Sequence, residues 1–100
     1  MRFASADEAM RALFAAFGPT DDPDWRFEYG LKAEPIDPAR PDILTARGPI
    51  ARTMHFGQVR VDLASGAVEF IDEDHRDGGD YVVLRAQLPK DWIDALRALG

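Results

Sequence analysis

The sequence predicts an α+β fold: an antiparallel β-sheet of about 4–5 strands with an N-terminal and a C-terminal helix packed on one face. Three observations carry this. Apolar residues recur at helical spacing near both ends of the chain. Between them they alternate with polar residues at a period of two. The alternating runs are joined by short Gly- and Pro-containing turns, and strands joined so tightly must be antiparallel, because parallel neighbours need long crossovers.

The first helix is marked at both ends. Ser5 and Glu8 have the spacing of a capping box, in which each side chain takes an orphan amide of the first turn. Met10, Leu13, Phe14 and Phe17 then fall on one stripe. Gly18 is expected to supply a left-handed cap, and Pro19 forbids continuation, so the helix should span residues 6 to 17. Residues 20–24 (Thr-Asp-Asp-Pro-Asp) read as an acidic turn.

Trp25, Phe27, Tyr29 and Leu31 alternate with Arg26, Glu28, Gly30 and Lys32, which predicts a half-buried strand with an aromatic inner face. Pro35, Pro38 and Pro41 each remove a backbone donor and make residues 34–42 a semi-rigid loop. A short strand is expected from Ile43 to Arg47, before a turn at Gly48-Pro49. Beyond it, Ile50, Met54 and Phe56 should face inward, with Thr53 and His55 outward. From Val59 the inward set becomes Val59, Val61 and Leu63, because Arg60 and Asp62 would otherwise be buried. A bulge at Gly57 accounts for this slip of one residue.

Leu63 to Ala67 reads as a hairpin connection with Gly66 left-handed, and Val68 and Phe70 continue inward on the returning strand. Asp72 to Asp80 reads as a charged loop. The last strand, Tyr81 to Leu88, should turn Val82, Leu84, Ala86 and Leu88 to the core. Pro89 opens the second helix, whose apolar positions are Trp92, Ile93, Leu96 and Leu99.

Length, composition and charge narrow the function. One hundred residues make a single domain, 1–100, and 46% apolar with 30% charged residues suits a packed core under a solvated surface. The absence of cysteine excludes disulfides, thiol nucleophiles and thiolate metal sites. Asp7 and Glu8 interrupt the place where a signal peptide needs its apolar stretch, and no apolar run approaches a bilayer span, so a cytoplasmic location without membrane association is expected. The net charge of −6 disfavours nucleic acid and suits a cationic protein partner.

Motifs for chemistry are sparse. Ser5 and Ser65 have capping and turn roles and lie outside any G-x-S-x-G elbow, and there is no phosphate-binding glycine motif, so no cofactor is expected. The acids from Asp72 to Asp77 lack the spacing of a calcium loop, because Asp77 comes one residue late and the twelfth position is Val83; no metal is expected. An enzymatic reading would rest on His75 with Asp74 or Asp77 as an acid–base pair. The preferred reading is a protein-interaction module. If Val82 and Leu84 face the core, Ile71, Tyr81, Val83 and Arg85 share the open sheet face, a mixed apolar and basic patch of interface composition. Asp72, Glu73, Asp74 and Asp77 would then steer a basic partner. An inhibitor of the immunity type and a chaperone-like binder both fit, and the open face also suits a second copy of the chain.

Overall fold

In the computed structural model, which describes residues 1–53, 55–74 and 79–99, the chain forms the expected α+β fold. Helix α1 (Ala6–Phe17) is followed by strands β1 (Lys32–Ala33), β2 (Ile43–Pro49), β3 (Phe56–Asp62), β4 (Ala67–Asp74) and β5 (Gly79–Gln87), and by helix α2 (Lys90–Arg97). The strands form one antiparallel sheet in the order β1-β2-β3-β4-β5, a meander in which every neighbour in space is a neighbour in sequence. No helix among the described residues is long and apolar enough to cross a membrane.

The α1 start follows its sequence signal in part. Ser5 Oγ accepts the Glu8 N–H at 3.1 Å, whereas the Glu8 carboxylate reaches past Ser5 to the Ala4 N–H. Gly18 is not the left-handed cap that was expected: its backbone is extended, at φ −68° and ψ 170°. Glycine is needed there for space, since a Cβ would sit 2.5 Å from the Phe14 carbonyl oxygen. Asp7 Oδ1 accepts the Ala33 N–H at 2.7 Å, tying α1 to the first strand.

The core lies between the helices and one sheet face. Met10 and Leu13 of α1 and Leu96 of α2 meet Ala46, Val59, Val61, Val68 and Phe70 of the sheet. Trp92 packs α2 against Phe3, ahead of α1, and edge-on against Phe17 at the end of α1, with ring centroids 5.5 Å and 5.2 Å away. Gly66, at φ 79°, is left-handed as its hairpin requires, and a Cβ on it would lie 2.8 Å from Ile93 of α2.

Two sequence expectations for the sheet fail together. Residues 25–31 are not a strand: Phe27 makes one isolated bridge to Ile50, and only Lys32 and Ala33 pair with β2. Trp25 and Leu31 are buried, but Tyr29 is 79% exposed. The segment packs its aromatic rings across the sheet instead. Phe27 lies edge-on to Phe14 at 5.0 Å and to Trp25 at 5.7 Å. Second, there is no bulge at Gly57. The pairing of β3 with both neighbours is regular from Phe56 onward, with Gly57 opposite Gly48 and Asp72.

One cause underlies both. On the core side of the sheet, Gly48 and Gly57 form a floor without side chains. A Cβ at Gly57 would meet Ile50 Cδ1 at 2.6 Å, and one at Gly48 would meet Phe27 Cδ1 at 3.0 Å. The floor admits Ile50 and Phe27, and the β2–β3 hairpin turns through Arg52 at φ 62° with the Ile50 N–H donating to the His55 carbonyl, so that β3 begins with Phe56 on the outer face. Met54 lies outside the described residues. Phe56 therefore faces away from the core, beneath the Arg47 guanidinium at 4.5 Å.

Gly57→Ala should destabilise the fold by about 1–3 kcal/mol, because a methyl has no room beside Ile50. Ser5→Ala should cost about 1 kcal/mol through the lost cap. Urea unfolding of both variants checks the order, and a neutral Gly57→Ala would refute the glycine floor.

Candidate functional site: a buried polar centre beside an open edge strand

Acids expected to lie on a loop are instead on a strand. Because β4 runs to Asp74 and β5 begins at Gly79, Asp72 and Glu73 are paired residues opposite Tyr81 and Asp80. Adjacent strand residues point to opposite faces, so the two carboxylates enter different environments. Both are buried, at 3% and 4% exposure, which corrects their assignment as solvated steering charges.

Asp72 continues the inward phase of Val68 and Phe70. Its Oδ2 accepts the Trp25 indole N–H at 3.0 Å, and its Oδ1 lies 2.8 Å from His55 Nδ1. His55, expected on the surface, is instead largely buried against this carboxylate. A carboxylate beside an imidazole is the pair from which general bases are built. Here, however, the same carboxylate also fixes Trp25 into the core, so its first consequence is structural.

Glu73 lies on the opposite face. Its carboxylate takes two bonds from Arg47, Nε and Nη2 each at 2.7 Å, and a third from Gln58 Nε2 at 2.7 Å. This forked pairing with Glu73 raises the affinity of the Arg47 guanidinium for its proton, with Glu34 and Asp80 adding to the effect. Phe56 below the guanidinium completes a cross-strand stack over β2, β3 and β4.

The residues named for the open face do not share one. Phe70 pairs with Leu84 and Ile71 with Val82, so Val83 is an extra residue on β5 and the ladder changes phase there. Ile71 and Arg85 are on the face away from the helices; Tyr81, opposite Asp72, and Leu84, opposite Phe70, are on the core side. Ile71 is buried, Val83 packs against the core, and Arg85 approaches Glu69 at 3.4 Å. Val82, expected inward, takes the outer face. The tertiary position of β5 nonetheless brings the exposed members together along one line. It is the last strand of the sheet, and among the described residues only β4 pairs with it. Tyr81 is 51% exposed, Leu84 37%, and Asp80 and Arg85 are exposed beside them.

His75, Arg76, Asp77 and Gly78 lie outside the described residues, as does the Asp74 side chain; the acid–base pair suggested for them falls there too. Among the described residues no cluster of three or more His, Asp or Glu side chains has the arrangement of a metal site. A separate apolar groove of about 220 Å³ lies between the helices and the segment after β1, lined by Met10, Ile36, Leu44, Leu96 and Leu99. Its Arg97 is held by Asp42 at 3.5 Å and by the Leu63 carbonyl at 3.1 Å.

Sequence reasoning missed His55 and the burial of Asp72. The alternation Val68, Phe70, Asp72 was the available signal, since it places the acid in phase with two core residues. Comparison with known protein families, curated proteins and solved structures gave no match for this chain.

Asp72→Ala should destabilise the protein by about 3 kcal/mol, since it leaves the buried indole N–H without its acceptor, takes the carboxylate away from the His55 ring and opens space in the core. Asp21→Asn, at an exposed position, should change stability by less than about 0.5 kcal/mol. Denaturant titration of the two variants side by side makes the comparison, and equal effects would contradict the burial of Asp72.

Proposed function

We propose that this chain is a small acidic protein-interaction module that takes a partner strand along the open edge of β5. The observation that carries the reading is the edge itself. Strand β5 spans Gly79–Gln87, ends the sheet, and presents Tyr81 and Leu84 to solvent. An unpaired edge offers a row of backbone donors and acceptors, which added strands use for affinity while alternate side chains give specificity.

Charge supports the same surface. Trp25 is bonded to Asp72, and Asp72 is opposite Tyr81, so Trp25 lies toward the end of the sheet where β5 starts; the exposed acids Asp21, Asp22 and Asp24 precede it in the chain, Asp24 in ion pairs with Arg26 and Arg52. Asp80 adds an exposed carboxylate on the strand itself. A partner strand bearing a cation opposite Asp80 fits best. Steering passes from Asp72 and Glu73, which are buried, to these four acids. Inhibition of a cationic enzyme in the manner of an immunity protein and chaperone-like holding of a client both use such an edge.

The test compares capture of a native partner by the wild-type chain and by Val82→Pro and Leu84→Asp. Proline removes an edge donor and aspartate removes the apolar anchor, so both should reduce capture about tenfold or more while the isolated variants remain folded by circular dichroism. Capture unchanged by either variant would refute the edge. Asp21→Asn with Asp22→Asn should slow association and weaken its salt dependence, leaving the melting temperature nearly unmoved.

A further inference from the structure

We infer that the strand accepted by β5 is the β5 of a second copy, paired antiparallel about a two-fold axis between Val82 and Val83. The inference rests on the edge reading above and adds the identity and register of the partner.

In a two-fold antiparallel pair, residue i faces residue j of the other strand with i + j constant, and facing residues must lie on the same side of the sheet. A regular strand meets this only when the constant is even. The extra residue at Val83 changes the rule for this strand. Asp80 and Val82 are on the outer face before it and Arg85 is on the outer face after it, while Tyr81 and Leu84 are both on the core side. Same-face pairing across the shift now needs an odd constant. Placing Asp80 opposite Arg85 of the second copy satisfies it and sets Tyr81 opposite Leu84 in the same step.

The register is complementary at each position. Asp80 meets a guanidinium and Arg85 a carboxylate, twice by symmetry. Tyr81 and Leu84, both large and exposed, cover each other, also twice. Within one chain Asp80 sits opposite Glu73, whose carboxylate is already met by Arg47 and Gln58. Asp80 itself is exposed, which leaves room for a cation on its open side. Arg85 is mostly exposed and touches Glu69 only at 3.4 Å, so it can reach across the edge without breaking a close ion pair. The register shift at Val82 and Val83 falls at the axis, so the irregularity of one copy lies beside that of the other rather than beside a regular strand.

Each copy carries −6, which opposes approach at long range. At about 0.1 M salt that repulsion is screened beyond about 10 Å, and the contacts along the edge decide the outcome. Bulk salt therefore acts on both effects at once, and a charge exchange is the cleaner probe.

Sedimentation velocity of the full chain, from micromolar to sub-millimolar concentration at moderate salt, should show a monomer–dimer equilibrium. Asp80→Arg alone and Arg85→Asp alone should each weaken dimerisation about tenfold, because each places like charges opposite one another twice. The double variant Asp80→Arg/Arg85→Asp should recover most of the wild-type affinity. Leu84→Asp serves as a second disruption, with circular dichroism confirming that every variant is folded. A monomer at all concentrations would overturn the inference, as would a dimer that ignores both single exchanges or is not recovered by the double one. Edge-dependent capture of a different protein, with the pure chain monomeric, would leave the edge reading standing and remove only the second copy.

Discussion

The buried carboxylate of Asp72 is the constraint around which the rest of this structure is arranged. A carboxylate at 3% exposure needs partners, because an unpaired charge in a dry interior is strongly unfavourable. Those partners come from outside the strand that carries it: Trp25 from the stretch after α1, and His55 from the stretch between β2 and β3. His55 continues the β2–β3 hairpin, its carbonyl accepting the Ile50 N–H, and the Trp25 stretch is bonded to the same hairpin through Arg26 and Glu28. The aromatic segment gives up strand pairing along residues 25–31 and instead covers one end of the sheet, where Trp25, Phe27, Phe14 and Phe70 form a chain of ring contacts.

The glycines make that arrangement sterically feasible. Gly48, Gly57 and Asp72 occupy one cross-strand row on the core side. Two positions without side chains beside one short acid leave a shallow channel, and Ile50, Phe27 and Trp25 fill it. Bulk in this row would force the aromatic segment off the sheet and strip Asp72 of its donor. The opposite face of the same strands solves a similar problem differently. There Glu73 is satisfied within the sheet, by Gln58 from the neighbouring β3 and by Arg47 from β2 beyond it. Adjacent residues of β4 thus hold one acid by a tertiary wrap and the other by a cross-strand network.

Much of this was legible in the sequence where local rules decide. The stripe of Met10, Leu13, Phe14 and Phe17, the Ser5 cap, the left-handed Gly66 and the α2 start after Pro89 all follow from periodicity and backbone sterics, and all are present. The antiparallel order follows from short connections. What failed was everything requiring knowledge of what lies across the sheet. Trp25 to Leu31 alternate as a strand does, yet alternation also describes an extended segment lying over a flat glycine floor. The slip expected at Gly57 does not occur: alternation is regular from His55, which takes the core side, through Phe56, which faces outward. The irregularity that does exist, at Val83, leaves no mark in a run of β-branched and apolar residues, because Val82, Val83 and Leu84 satisfy either phase.

That silent irregularity has the largest consequence for recognition. A bulge on an edge strand is commonly a defence, since it twists the edge away from regular partners. The defence works by breaking the period of two that an incoming strand expects. A strand carrying the same irregularity, met head to tail, presents the same break at the same place, and the mismatch cancels. A bulged edge therefore discriminates by symmetry: it turns away regular strands and remains open to its own copy. In this chain the discrimination coincides with side-chain order, as Asp80 and Tyr81 precede the break and Leu84 and Arg85 follow it. Reversal about the axis converts that order into two ion pairs and two apolar pairs, with no residue placed opposite a like charge.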